Sequence, residues 1–122
     1  MRRKSGTLVP LELAICRTAA ELRRRGTREF HGYQIARHLG DAADARLLTA
    51  YGTLYRALGR LADMGLLSSR QEDPRAAARE HRPLRRLYTL TAAGLAAIAE
   101  ARKADQAQAR LSRGWRRRVV PA

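Results

Sequence analysis

Cysteine occurs once in the 122 residues, at Cys16. A single thiol excludes an intrachain disulfide and a cysteine-based zinc site, and its place on the inner side or edge of the first helical segment is that of a small core hydrophobe. His31, His38 and His81 lack the spacing of a metal pair on one helix face, so no metal site is expected. Aromatic residues make up only 5% of the chain, with one Phe, one Trp and four Tyr, which leaves the core to aliphatic side chains and favours helices. No apolar run approaches the ~20 residues of a membrane span. The start MRRKSG is basic, but LVPLELAICRTAAEL is broken by Pro10, Glu12 and Arg17, which argues against a secretory signal and for a reduced, cytoplasmic setting. Also missing are acid/base carboxylate pairs, a glycine-rich phosphate cradle and an activated nucleophile, so neither catalytic residues nor a cofactor are expected. Glu12, Glu21 and Glu29 lie on or beside the first helix among arginines, the pattern of solvated ion pairs.

What the chain has in excess is positive charge. Lys and Arg total 25 against 11 Asp and Glu, a formal net charge of +14, and only Lys4 and Lys103 are lysine. Such an excess repels itself and favours polyanions, so double-stranded DNA is the expected partner. Charge alone would also suit a non-specific nucleic-acid-binding or architectural protein, which is the competing reading.

Hydrophobic periodicity orders the chain. Residues 1–7 read as a flexible basic arm. From Pro10 to Arg25, the positions Leu11, Ala14, Ile15, Ala19 and Leu22 share one helical face, with Pro10 in the first turn and Gly26 as the stop. A short second helix spans 32–39, with Ile35, Ala36 and Leu39 inward and Gly40 ending it. A connection over 41–49 leads to a third helix, where Leu54, Leu58 and Leu61 recur at i, i+4 and i+7 and Gly65 is a natural C′ residue. The period then changes: 66–73 and 84–91 read as two strands, and PRAAAREHRP between them as a mobile basic tip. Thr91 is placed to cap a last helix over 92–112, with 113–122 as a basic tail. The fold class is therefore mostly α with a small β-wing: a winged helix-turn-helix of three helices and a two-stranded wing over 8–91, followed by a C-terminal dimerisation helix.

With Leu54, Leu58 and Leu61 turned inward, helix three presents Gly52, Arg56, Gly59 and Asp63 on its opposite side, flanked by Thr49, Thr53 and Arg60. Hydroxyls, glycines and arginines suit a major groove: glycine lets the backbone approach, and Arg pairs bidentately with guanine. Gly52 and Gly59 each cost ~1 kcal/mol of helix propensity relative to Ala, which a purely structural helix has little reason to bear. Arg79, Arg82 and Arg85 lead the arginines of the wing, where positive charge meets the sugar–phosphate backbone. The plain alternative is a solvated helix face and a solvated loop.

The segments HGYQIARHL, YGTLYRALGRLADMGLLSSRQED and RPLRRLYTLTAAGLAAI, taken together, closely resemble the PadR-like family. The resemblance rests on Gly52, Thr53, Leu54 and Tyr55 opening the third helix, on Leu61, Gly65 and Leu66 leading to the wing, and on Tyr88, Leu90, Thr91 and Gly94 before the last helix. It covers roughly residues 8–100. It implies a cytoplasmic bacterial repressor that binds a palindromic operator as a homodimer. It also implies DNA contact by Tyr55, Thr49, Tyr51 and Thr53, although Tyr51 lies nearer the apolar face. The family packs its last helix with helix one across the dimer, so Leu11, Ile15, Leu95, Ile98, Leu111 and Trp115 are the expected dimer contacts. The alternative is a last helix that folds back on its own core. Trp115, in GWRRR, reads as an anchoring or exposed residue, and no residue pattern supports a small-molecule effector.

Overall fold

Pro10 takes the first turn of helix α1 (Pro10–Arg24), where its missing N–H costs nothing, and the Glu12 carboxylate accepts a hydrogen bond from the Val9 backbone N–H at 3.1 Å. The computed structural model describes residues 8–41 and 51–119. After α1 come β1 (Glu29–His31), α2 (Gly32–Asp41), α3 (Tyr51–Asp63), β2 (Leu67–Gln71), α4 (Pro74–Arg79), β3 (Arg86–Leu90) and α5 (Ala92–Val119). This is the expected winged-helix order, with additions.

Two helices end in the same way. Gly26 and Gly65 both have positive φ, at 97° and 77°, and each sits at C′. After α1, Thr27 N–H donates to the Leu22 carbonyl at 2.8 Å; after α3, Leu66 N–H donates to the Leu61 carbonyl at 3.0 Å. The chain thus turns sharply out of α3 and into the wing.

The core forms where the periodic faces meet. Ile15, Cys16 and Ala19 of α1, Ile35 and Leu39 of α2, and Leu54, Ala57, Leu58 and Leu61 of α3 are buried against Phe30, Leu67, Tyr88 and Leu90 of the sheet. Burial and the nearby Glu12 push the Cys16 thiol up to about 11, so it is a core side chain with little thiolate.

The sheet is antiparallel with the order β1-β3-β2, and β3 is its centre. The two expected strands shorten to Leu67–Gln71 and Arg86–Leu90, and a third is added. At β1, Phe30 pairs with Tyr88 and their rings stack at 6.0 Å between centroids. Three residues are too few to display a period of two, which is why β1 escapes a reading by alternation.

Three further expectations need correction. PRAAAREHRP is not a structureless tip: Pro74–Arg79 is helix α4, capped by Asp73, whose side chain accepts from Arg75 N–H at 3.0 Å, and its Ala77 is buried. Asp73 and Pro74, followed after Arg75 by three alanines, are a helix signal set within a basic segment. Gly40 does not end α2, which runs to Asp41; the connection that follows, with Thr49, lies outside the described residues. The last helix also does not stop near Ser112 but continues through Gly114 to Val119, since arginines are good helix formers and no proline intervenes before Pro121.

The start of α5 is tied to the exit of α3. Thr91 Oγ1 lies 2.7 Å from the Gly65 carbonyl and 2.9 Å from the Leu66 carbonyl, and it accepts from Gly94 N–H at 3.0 Å as the helix cap. Ile98 packs on the core, whereas residues 102–113 are exposed, so the second half of α5 projects from the domain. Among the described residues no helix is long and apolar enough to cross a membrane.

Candidate nucleic-acid interface

Helix α3 is inserted through its leucines, and that fixes what it shows to the outside. Gly52, Tyr55, Arg56, Gly59 and Arg60 are exposed and Thr53 is half-buried. Tyr51 is the first residue of the helix. The Arg56 guanidinium reaches the Thr53 hydroxyl at 3.4 Å and otherwise points its donors outward. Nothing lies within 4 Å of a Cβ built on Gly59, so this glycine leaves open space on the helix surface.

Arg60 takes a different role from the one its place on the helix wheel suggests. Its Nε lies 2.8 Å from Oε2 of Glu12, a fully buried carboxylate. Glu12 is therefore not a solvated ion-pair partner, as its arginine-rich setting suggested, but an internal acceptor joining the start of α1 to α3. Glu21 and Glu29 do form solvated ion pairs: Glu21 with Arg24 and Arg25, and Glu29 with Arg70 at 2.6 Å, each held below its usual pKa by those arginines.

The wing divides its arginines into two groups. Arg82 grips buried Glu72, with Nη2 at 2.9 Å from Oε2 and Nη1 on Oε1, and it also pairs with Glu80. The Arg85 backbone N–H adds a 2.9 Å bond to the same carboxylate. Together these hold Glu72 down at about 2, the Arg82 side-chain hydrogen bond being the largest cause. Arg82 is thus a structural clamp at the base of α4. The second group stays available. The Arg75 and Arg85 guanidiniums make no hydrogen bond among the described residues, and Arg79 donates only to the Arg75 carbonyl at 3.3 Å.

Between these two surfaces lies a cleft of about 440 Å³, lined by His31, Tyr33, Tyr55, Arg82, Arg85 and Arg86, with Gly32 among them. Gly32 lets the Tyr55 ring lie close against the start of α2, since a Cβ there would stand 2.7 Å from its Cε1. His31 stacks on Tyr33 at 6.3 Å, and its pKa is held below the ordinary histidine range by burial first, then by Arg85 and Arg82, with Glu72 opposing. His31 and Tyr33 stand outside both helix three and the wing, and the HGY triplet at the start of α2 is their signal in the sequence.

The apolar residues assigned to a dimer contact do not form one face. Leu11 and Ile15 are buried in the protomer's own core, and Ile98 packs against that core, because α1 is the helix on which α2, α3 and α5 all rest. Leu95 and Leu111 are exposed, at 39% and 69%. Trp115 lies within α5.

The model of the transcriptional regulator PadR-like family matches residues 22–100. A PadR family transcription regulator from Clostridium difficile superimposes with a TM-score of 0.65 at 17% identity, covering 86% of this chain and 96% of that one. A PadR family regulator from Eggerthella lenta gives 0.54 at 22% identity, covering 92% and 89%. Bacillus subtilis PadR, solved in complex with operator DNA, gives 0.55 at 22% identity, covering 77% of this chain and 47% of that protein. No curated protein matches the sequence.

Proposed function

The chain belongs to the PadR-like family of transcriptional regulators, and from that premise we propose that it is a repressor that binds a palindromic operator as a homodimer. The observation that carries this reading is the continuity of one surface. The exposed side of α3, with Gly52, Thr53, Tyr55 and Arg56, adjoins the wing arginines across the cleft that Tyr55 and Arg85 both line. In this reading α3 enters the major groove, with Arg56 facing base edges, while Arg75, Arg79 and Arg85 meet phosphates. Thr49 and Tyr51 stand at or before the start of that helix and belong to the same proposal. Arg60 and Arg82 are left out of it, since Glu12 and Glu72 already hold them. The DNA-bound B. subtilis relative supports a duplex as the partner.

A dimer would use α5, whose projecting half leaves Leu111 exposed and whose first turn leaves Leu95 exposed. Two-fold symmetry would then set paired α3 helices about 34 Å apart over an inverted repeat. The test is a fluorescence-anisotropy titration against the gene's own upstream DNA and a scrambled duplex across salt concentrations. Preference for the upstream DNA by ~10³-fold or more supports specific, self-directed regulation. Equal binding that vanishes steeply with salt means that the net charge of +14 acts alone, and favours an architectural protein.

A further inference from the structure

The cleft between β1, α2, α3 and the wing holds a combination that a passing DNA surface does not require. Three guanidiniums, two phenols and one imidazole line about 440 Å³. Two of the three guanidiniums are already engaged, Arg82 by Glu72 and Glu80 and Arg86 by the Ser69 hydroxyl at 3.2 Å. Arg85 is not, and it faces His31. Among the described residues the carboxylate that faces His31 is that of Glu72, and it is taken up by Arg82 and by the Arg85 N–H. From α2, Tyr33 stacks on the imidazole, and from α3, Tyr55 brings a hydroxyl to the cleft. The lining of the cleft is therefore rich in donors and short of acceptors, and its imidazole is held below the ordinary histidine range by burial first and then by Arg85 and Arg82.

A phosphodiester supplies what is missing: one negative charge and oxygen acceptors for Arg85, Tyr55 and an imidazolium. Tyr55 belongs both to the cleft and to the exposed side of α3 next to Arg56, so the backbone bordering a groove occupied by α3 would run past it. We propose that the cleft seats one phosphate of a bound duplex against His31, and that His31 gains a proton as the duplex binds. This rests on the DNA-binding reading above. The sign follows from the charges. In the free protein burial, and then Arg85 and Arg82, disfavour the imidazolium; a phosphate beside it opposes the field of those arginines and favours it. By linkage, duplex binding strengthens as pH falls through the histidine range.

The experiment follows the imidazole C–H resonances of the full chain by NMR between about pH 5.5 and 8. Samples are the free protein, the protein with a short random-sequence duplex at low salt, and the protein with inorganic phosphate at the same phosphate concentration. His31→Gln assigns the signal by its loss, and its thermal melt shows whether it folds. Arg85→Gln is the second variant and should raise the His31 midpoint in the free protein. The duplex is expected to raise that midpoint by about one pH unit, a tenfold change between protonation states. Duplex affinity, read by anisotropy, should strengthen by up to about tenfold toward low pH and lose this dependence in His31→Gln. A bound duplex that leaves the midpoint unmoved overturns the proposal, as does a His31→Gln variant that keeps the wild-type pH slope. The same rise with inorganic phosphate alone overturns the duplex assignment and makes the cleft a free-anion site. Absence of any duplex binding at low salt strikes the DNA-binding reading itself, and anisotropy reports that separately.

Discussion

Arg60 and Glu12 are 48 residues apart in sequence, yet Nε of the one lies 2.8 Å from Oε2 of the other, and the carboxylate has no solvent exposure. The pair joins α1 to α3, so it sets how the exposed side of α3 is tilted out of the domain. Removing a partner from a buried ion pair costs about 3–5 kcal/mol, because the other charge stays buried. Here the Arg60 side chain is 45% exposed and water can replace part of it, so Arg60→Ala should cost less, about 1–3 kcal/mol. Urea unfolding of the variant measures this. An unchanged midpoint would return Arg60 to the pool of free surface arginines.

Gly94 and Gly59 are both helical glycines, and alanine should act on them in opposite directions. A Cβ at Gly94 would stand 2.4 Å from the Leu66 carbonyl oxygen and 2.5 Å from Leu90 Cδ1. That carbonyl is fixed by the Thr91 hydroxyl and N–H, so it cannot retreat. Gly94→Ala is expected to destabilise by about 1–3 kcal/mol despite the better propensity of alanine. Gly59 has nothing within 4 Å, so Gly59→Ala should stabilise by up to ~1 kcal/mol. If α3 enters a groove at this face, the same substitution weakens duplex binding. Thermal melting and anisotropy on the two variants separate the effects; a Gly59→Ala protein that is more stable and binds equally well would place the contact elsewhere on α3.

These residues also show what a sequence can and cannot disclose. The leucines of α3, Gly65 and Thr91 were readable because each obeys a local rule: a period, a left-handed stop, a cap. The winged-helix order followed from them. The roles of Arg60 and Arg82 were not readable, since a guanidinium looks the same in sequence whether it meets solvent, phosphate or a carboxylate brought from another element. Leu11 and Ile15 misled for a related reason: an apolar stripe states that something covers it, not whether the cover is the same chain or a second one. Helix α4 has local signals in Asp73, Pro74 and three alanines, but they sit in a Pro-bounded basic segment that has the composition of a loop.

The Glu72 clamp gives the wing an acid limit. Its carboxyl is held at about 2 against an ordinary 4.5, chiefly by Arg82. Between these values the unfolded chain binds the proton and the folded chain does not. The stabilisation is therefore complete above about pH 4.5 and is lost as pH falls through about 2. Thermal melts from pH 5 downward should show a declining midpoint in the wild type and a flatter profile in Glu72→Gln, which has no proton left to gain at that position. Parallel profiles would mean that the clamp contributes nothing to folding stability.

The two groups of wing arginines should separate in a salt titration. Each phosphate contact that a protein makes releases counterions and steepens the fall of log K with log salt by roughly 0.9 for duplex DNA. Arg79 and Arg85 have guanidiniums free of any carboxylate among the described residues, whereas Arg82 is held by two. Arg79→Ala and Arg85→Ala are expected to weaken duplex binding at low salt and to reduce the slope by about one each, with little change in melting temperature. Arg82→Ala should do the reverse: it leaves Glu72 buried without its main partner, loosens the wing and lowers the melting temperature. A variant's loss of affinity alone cannot assign its arginine, since a loosened wing also binds weakly. The slope can, because it counts phosphates. An Arg82→Ala protein that melts normally and loses one unit of slope would show that the Glu72 clamp opens on DNA and that Arg82 is a phosphate ligand after all.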